Sequence, residues 1–184
     1  PLSHNFVRGV HIGIIGDNGS GKSTLAKTLL GLVKPLAGNF TWLKGLRLSY
    51  VPQESSVNLY FPLRVMDCIK MGNFRSPKNL WAKSNYATIM DELGLADLQH
   101  ALVRELSGGQ RQRVLIARAL MSSPDVIFFD EAWNSLDQLY QLKLEALIGS
   151  LQEQLHITCF FVEHDLKRLK SMVHEIIQLS SEQI

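Results

Sequence analysis

Gly16-Asp-Asn-Gly-Ser-Gly-Lys-Ser23 has the spacing of a loop that wraps an anion. Gly16, Gly19 and Gly21 let the backbone turn so that successive N–H groups face inward, with Asn18 and Ser20 completing the loop. A helix opening near Lys22 adds the positive end of its dipole to the same spot. Lys22 then reaches the β- and γ-phosphates of a nucleotide, Ser23 offers a hydroxyl to Mg²⁺, and Thr24 offers another near the α-phosphate. Two adjacent acids, Asp130 and Glu131, follow the apolar run Val126-Ile-Phe-Phe129. Alone, such a pair is more often a solvated turn. Beside a phosphate loop, one acid can hold a cation and the other can orient water. Ser107, Gly108 and Gly109 form a third feature, a serine cap and two small residues at the start of a helix. They leave N–H groups free at a positive helix end, a second anion site without a lysine.

These residues need a scaffold that delivers them to one place. The β-branched and aromatic runs at 10–15, 39–42, 46–51, 126–129, 157–162 and 176–179 read as strands. Helical spacing marks 23–32, 65–71, 81–93, 96–103, 111–121, 138–154 and a segment from Leu166, with a polar loop at 73–79. Alternating strands and helices imply a parallel sheet with helices on both faces. Such sheets bind ligands at the carboxyl ends of their strands, where Gly16 and Asp130 lie.

Composition narrows the function. A length of 184 residues suits one domain with a buried core. A net charge of +2 is too small for a nucleic-acid binder, so no nucleic-acid partner is expected. Cys68 and Cys159 have no metal-ligand spacing and read as reduced thiols, with Cys159 buried in a strand. No apolar run approaches the roughly 20 residues that cross a bilayer.

Leu106-Ser-Gly-Gly-Gln110 is the signature sequence of ABC ATPases, and with the phosphate loop it gives the chain a specific resemblance to that superfamily. The resemblance implies a P-loop NTPase fold, α/β with a parallel sheet core. A small helical subdomain, 57–105, would be inserted between the Q-loop and the signature motif, within one nucleotide-binding domain spanning 1–184. It implies ATP and Mg²⁺ as ligands. Asp130 would hold Mg²⁺, Glu131 would polarise the attacking water, and Gln53 would contact the cation or the water. His164, 33 residues after Glu131, would bond the γ-phosphate. Ser107, Gly108, Gly109 and Gln110 would close over ATP held by a second ABC subunit, read as a copy of this chain in a head-to-tail dimer. Asp137 resembles the D-loop aspartate that touches the opposite subunit. An integral membrane permease would be the other partner, placing the chain in the cytoplasm on the inner face of the membrane.

The sequence departs from the family in two places. Ala132-Trp133-Asn134 replaces residues that usually stiffen the loop after the glutamate, and Trp133 is either a dimer-face anchor or a core residue. The aromatic that stacks on adenine usually stands well before the phosphate loop. Phe6 is too near to serve and reads as a core residue, so the N-terminal strands are expected to be missing. That would weaken ATP binding and leave a sheet edge uncovered. The segments Tyr50-Val-Pro-Gln-Glu-Ser-Ser56 and Phe61-Pro-Leu-Arg-Val-Met-Asp-Cys-Ile-Lys-Met-Gly72 look like zinc and manganese importer ATPases. The alternatives are a soluble, translation-factor-like ABC protein or a regulatory module with weak turnover.

Overall fold

Among the described residues, apolar runs that alternate large side chains to both faces form a five-stranded sheet with every pairing parallel, in the spatial order Leu48–Val51, Val126–Asp130, Thr158–Glu163, His11–Gly16, Glu175–Leu179. The computed structural model describes residues 3–53, 62–73, 80–164, 166–170 and 172–179. The strands are β1 His11–Gly16, β2 Leu48–Val51, β3 Val126–Asp130, β4 Thr158–Glu163 and β5 Glu175–Leu179. The α-helices are α1 Lys22–Leu29, α2 Val65–Lys70, α3 Leu80–Glu92, α4 Gly108–Met121, α5 Gln138–Leu155 and α6 Leu166–Leu169. The central strands β3 and β4 are buried along their whole lengths, as a sheet covered on both faces requires.

Aromatic pairs fix the two strands that matter most. The β3–β4 register sets Phe128 opposite Phe160 and Phe129 opposite Phe161. Successive strand residues point to opposite faces, so the two pairs stack on opposite sides of the sheet. Their rings lie 4.3 Å and 5.4 Å apart, each within 7° of parallel. Each pair adds about 0.5–1.5 kcal/mol beyond its buried area. On one face Phe128 and Phe160 meet Ala26 and Leu29 of α1. On the other, Phe129 and Phe161 join Leu144, Ile148 and Leu151 of α5 with Val114 and Leu115 of α4. The end of β3, with Asp130 as its last residue and Glu131 next, is therefore clamped from both sides.

Two sequence expectations are corrected, and one reading left open is decided. No strand forms over 39–42, where the backbone has no neighbouring strand to pair with. Trp42 is satisfied by packing instead: its Nε1 donates to the Leu29 carbonyl at 2.6 Å, and its ring meets Phe128 and Phe160 edge-on at 6.4 and 6.3 Å. No α-helix forms over 96–103, which holds only the 3₁₀ turns Ala96–Leu98 and Val103–Glu105. Its carbonyls go elsewhere: Ala101 and Gln99 accept from the N–H groups of Val65 and Met66 at 3.0 Å each, tying the segment to the start of α2. Trp133 is a core residue, not a surface anchor, with 1% of its area exposed. Its ring stands edge-on to Phe129 and Phe161 at 5.0 and 5.3 Å. The expected polar loop at 73–79 falls, apart from Asn73, outside the described residues.

Phe6 packs edge-on against Phe160 at 4.8 Å. With Leu25, Leu29 and Trp42 it lines a cavity of about 640 Å³ beside the second half of α1. Cys159 is fully buried.

His11 carries a pH dependence. It is 5% exposed, its N–H donates to Nδ1 of His174 at 3.1 Å, and its carbonyl accepts from the His174 N–H at 2.9 Å. Burial, and then the charge of His174, lower its pKa from 6.5 to about 4. Between these values the unfolded chain binds a proton that the folded chain refuses, so stability falls as pH drops from 6.5 towards 4. His11→Phe is expected to flatten this loss, by up to about 2–3 kcal/mol, in urea melts across that window. An unchanged slope would mean that His11 is not the group responsible.

Candidate functional site

The phosphate loop leaves β1 and enters α1 through Gly21, whose φ of 86° lies in the left-handed region that favours glycine. The first turn of α1 contains no acidic residue, so its positive end is not neutralised from within. Lys22 is buried, and its ammonium donates to the carbonyls of Gly16 and Asp17 at 2.8 and 2.9 Å. Among the described residues no carboxylate pairs with it. A buried cation held only by two dipoles suits an incoming anion. Asn18, Gly19 and Thr24 are exposed at the loop, while Ser20 is buried beneath it.

Asp130 ends β3 at 4% exposure, and both of its oxygens are taken. The Ser23 hydroxyl donates to Oδ1 at 2.8 Å, and the Tyr50 hydroxyl donates to Oδ2 at 2.7 Å. Burial, and then the bond to Asp130 and its charge, push the Tyr50 hydroxyl far above the ordinary tyrosine range. Tyr50 therefore stays a donor. The oxygens of Ser23 and Asp130 are the hard donors that a small divalent cation prefers when phosphates complete its shell.

Glu131 follows directly, with a left-handed φ of 50°. That conformation costs an L-residue about 1–2 kcal/mol. It is offset by a backbone bond from the Glu131 N–H to the Val162 carbonyl at 3.0 Å, and by Ala132 and Trp133, both buried just beyond. The turn throws the carboxylate out to the sheet edge, where Gln53 Nε2 donates to its Oε2 at 3.2 Å. His164 is exposed on the bend after β4, one strand over at the same edge.

The signature residues are arranged differently. Ser107 caps α4: its hydroxyl accepts from the Gln110 N–H at 3.3 Å, and Gln110 Oε1 accepts from the Ser107 N–H at 2.8 Å. This reciprocal capping box occupies the Gln110 side chain. A Cβ on Gly109 would lie 2.7 Å from the Ser135 carbonyl oxygen, so this position admits only glycine without a shift of the loop before α5. Asp137 caps α5, its Oδ1 accepting from the Tyr140 N–H at 3.1 Å. Among the described residues no hydrogen bond joins 107–110 to the phosphate loop, and α4 packs against α2, α3 and β2. The structure thus gathers Lys22, Ser23, Gln53, Asp130 and Glu131, with His164 at the same edge, while Ser107 and Gln110 are engaged in the capping box of α4.

Two residues at the site escaped the sequence reading. Tyr50 lies three residues before Gln53, and its polar tip on an apolar strand was the available signal. Gln112 is fully buried on α4 and donates to the Pro52 carbonyl at 3.3 Å, tying the signature helix to the residue before Gln53. A glutamine on the apolar face of a helix was the signal there.

The family model described as ABC transporter matches residues 1–134. The zinc import ATP-binding protein ZnuC 1 of Aliivibrio fischeri is 40% identical over 172 residues, covering 91% of this chain and 63% of that protein's length. A transporter of the metal-chelate ABC type, solved in an inward-facing conformation, superposes with a TM-score of 0.83 at 29% identity, over 99% of this chain and 73% of that one. The dimeric structure of MJ0796, a bacterial ABC transporter cassette, gives 0.83 at 25% identity, over 97% and 84%. With a phosphate loop, an acid pair at the end of β3 and a capped signature helix in the right order, and with the family model covering most of its length, the chain belongs to the ABC transporter family.

Proposed function

We propose that this chain is the ATP-hydrolysing subunit of an ABC transporter, working as a head-to-tail dimer on a membrane permease that imports a metal ion, with zinc as the cargo. The observation that carries the reading is the meeting of Ser23, Asp130 and Glu131 at one sheet edge, one residue from Lys22. Lys22 exchanges its carbonyl partners for phosphate oxygens of ATP. Ser23 and Asp130 would hold Mg²⁺, with Gln53 beside them. Bound there, Mg²⁺ would supply positive charge to offset the negative charge that builds up as the terminal phosphoryl group leaves. Glu131 orients and polarises the attacking water, Gln53 steadies its carboxylate, and His164 bonds the γ-phosphate. This division suffices because phosphoryl transfer needs mainly positioning and charge neutralisation.

The dimer is supported by the capped helix end at Ser107, which among the described residues makes no hydrogen bond to its own phosphate loop and has no lysine of its own. The zinc assignment rests on the import ATPase that is 40% identical. The helical segment between Gln53 and Ser107 is the surface for the permease, which would hold the chain at the inner face of the membrane.

Ser107→Arg tests this arrangement. In the protein expressed from its complete gene, it is expected to leave nucleotide affinity of the monomer within about twofold. It is also expected to abolish ATP-dependent dimers in light scattering, because a bulky cation blocks closure on the partner's nucleotide. Loss of nucleotide binding by the monomer would show that the signature residues serve their own phosphate loop.

A further inference from the structure

We propose that Tyr50 is a positioning residue for the cation site, locking the Asp130 carboxylate so that Oδ1 stays on the side of Ser23; this rests on the nucleotide-site reading above. An aspartate carboxylate turns easily about its last bond, in a broad, roughly twofold well. Here it is anchored at both ends, to Ser23 at 2.8 Å and to Tyr50 at 2.7 Å. The anchors come from different elements, α1 and β2, while the acid itself ends β3.

The two anchors differ in what a cation does to them. Ser23 Oγ would give a lone pair to the cation while its proton stays directed at Oδ1, so this anchor would be shared with the metal. Tyr50 touches the other oxygen and is not asked to change. Its ring is held by the strand register, Tyr50 opposite Phe128, and packs on the apolar face that includes Phe128 and Phe160. The hydroxyl is therefore delivered by a rigid element. A charge-assisted bond from such a donor orients more firmly than one from a free rotor. Tyr50→Phe keeps the ring and removes only the donor, leaving Oδ2 of a buried carboxylate with one partner fewer.

The test is Mn²⁺ binding, followed by electron paramagnetic resonance, to the protein loaded with a non-hydrolysable ATP analogue. Three forms are compared: wild type, Tyr50→Phe and Asp130→Asn. Tyr50→Phe is expected to weaken Mn²⁺ about threefold to tenfold. Its nucleotide affinity in EDTA should match wild type, a selectivity that a merely structural role would not produce. Asp130→Asn is expected to lose more. Tyr50→Phe binding Mn²⁺ like wild type while Asp130→Asn does not would overturn the positioning role alone. Asp130→Asn binding like wild type would overturn the cation-site reading beneath it.

Discussion

Glu131→Gln is expected to cut the rate of phosphate release by at least about a hundredfold while leaving ATP bound, the range associated with losing a positioned general base. The geometry separates the two effects. The substitution keeps the size of the side chain and the backbone bond from residue 131 to Val162 that supports the left-handed turn. None of the phosphate contacts assigned to Lys22, Ser23 and the loop N–H groups is altered. What disappears is the negative charge that polarises water. Slow turnover with intact binding should trap an ATP-bound dimer, visible as a doubling of mass in light scattering. A rate within a fewfold of wild type would mean that another group polarises the water.

Lys22→Ala is expected to act on the opposite term. The ammonium is buried and held by the Gly16 and Asp17 carbonyls, so it is committed to this loop whether or not phosphate is present. Charge-assisted bonds to phosphate are each worth about 1.5–3 kcal/mol, so losing them should weaken ATP about 10- to 100-fold by calorimetry. The melting temperature should barely move, because the two hydrogen bonds lost within the loop are offset by no longer burying an unpaired charge. An affinity within threefold of wild type would remove Lys22 from the site.

What was legible in the sequence was what is written locally. The phosphate loop is eight contiguous residues whose glycines and lysine have one reading once a strand precedes them and a helix follows. The central strands announced themselves because Phe128, Phe129, Phe160 and Phe161 must be buried on both faces. The cap at Ser107 was visible because a serine stands before two small residues at the start of a helix.

The misses have a common physical origin, in contacts between residues distant in sequence. Asn39 to Trp42 looks like a strand by composition, but a strand exists only where another pairs with it, and Trp42 found Leu29 and the phenylalanine faces instead. The segment at 96–103 has helical spacing, yet its backbone bonds to the start of α2. Trp133 was ambiguous because the left-handed turn at Glu131, invisible in residue types, decides which way the chain leaves the strand. Tyr50 reaches Asp130 across 80 residues and Gln112 reaches Pro52 across 60, separations that no local pattern encodes.

The central claim is that this chain drives a membrane permease, and it is tested most directly by finding what the chain holds. The Glu131→Gln protein, expressed from its complete gene, is to be locked with Mg-ATP in gently solubilised host membranes, purified, and its companions identified by mass spectrometry. The account predicts a multi-spanning permease retained only with ATP, whose own sequence narrows the cargo. Recovery of ribosomal proteins, or of no membrane protein at all, would contradict it.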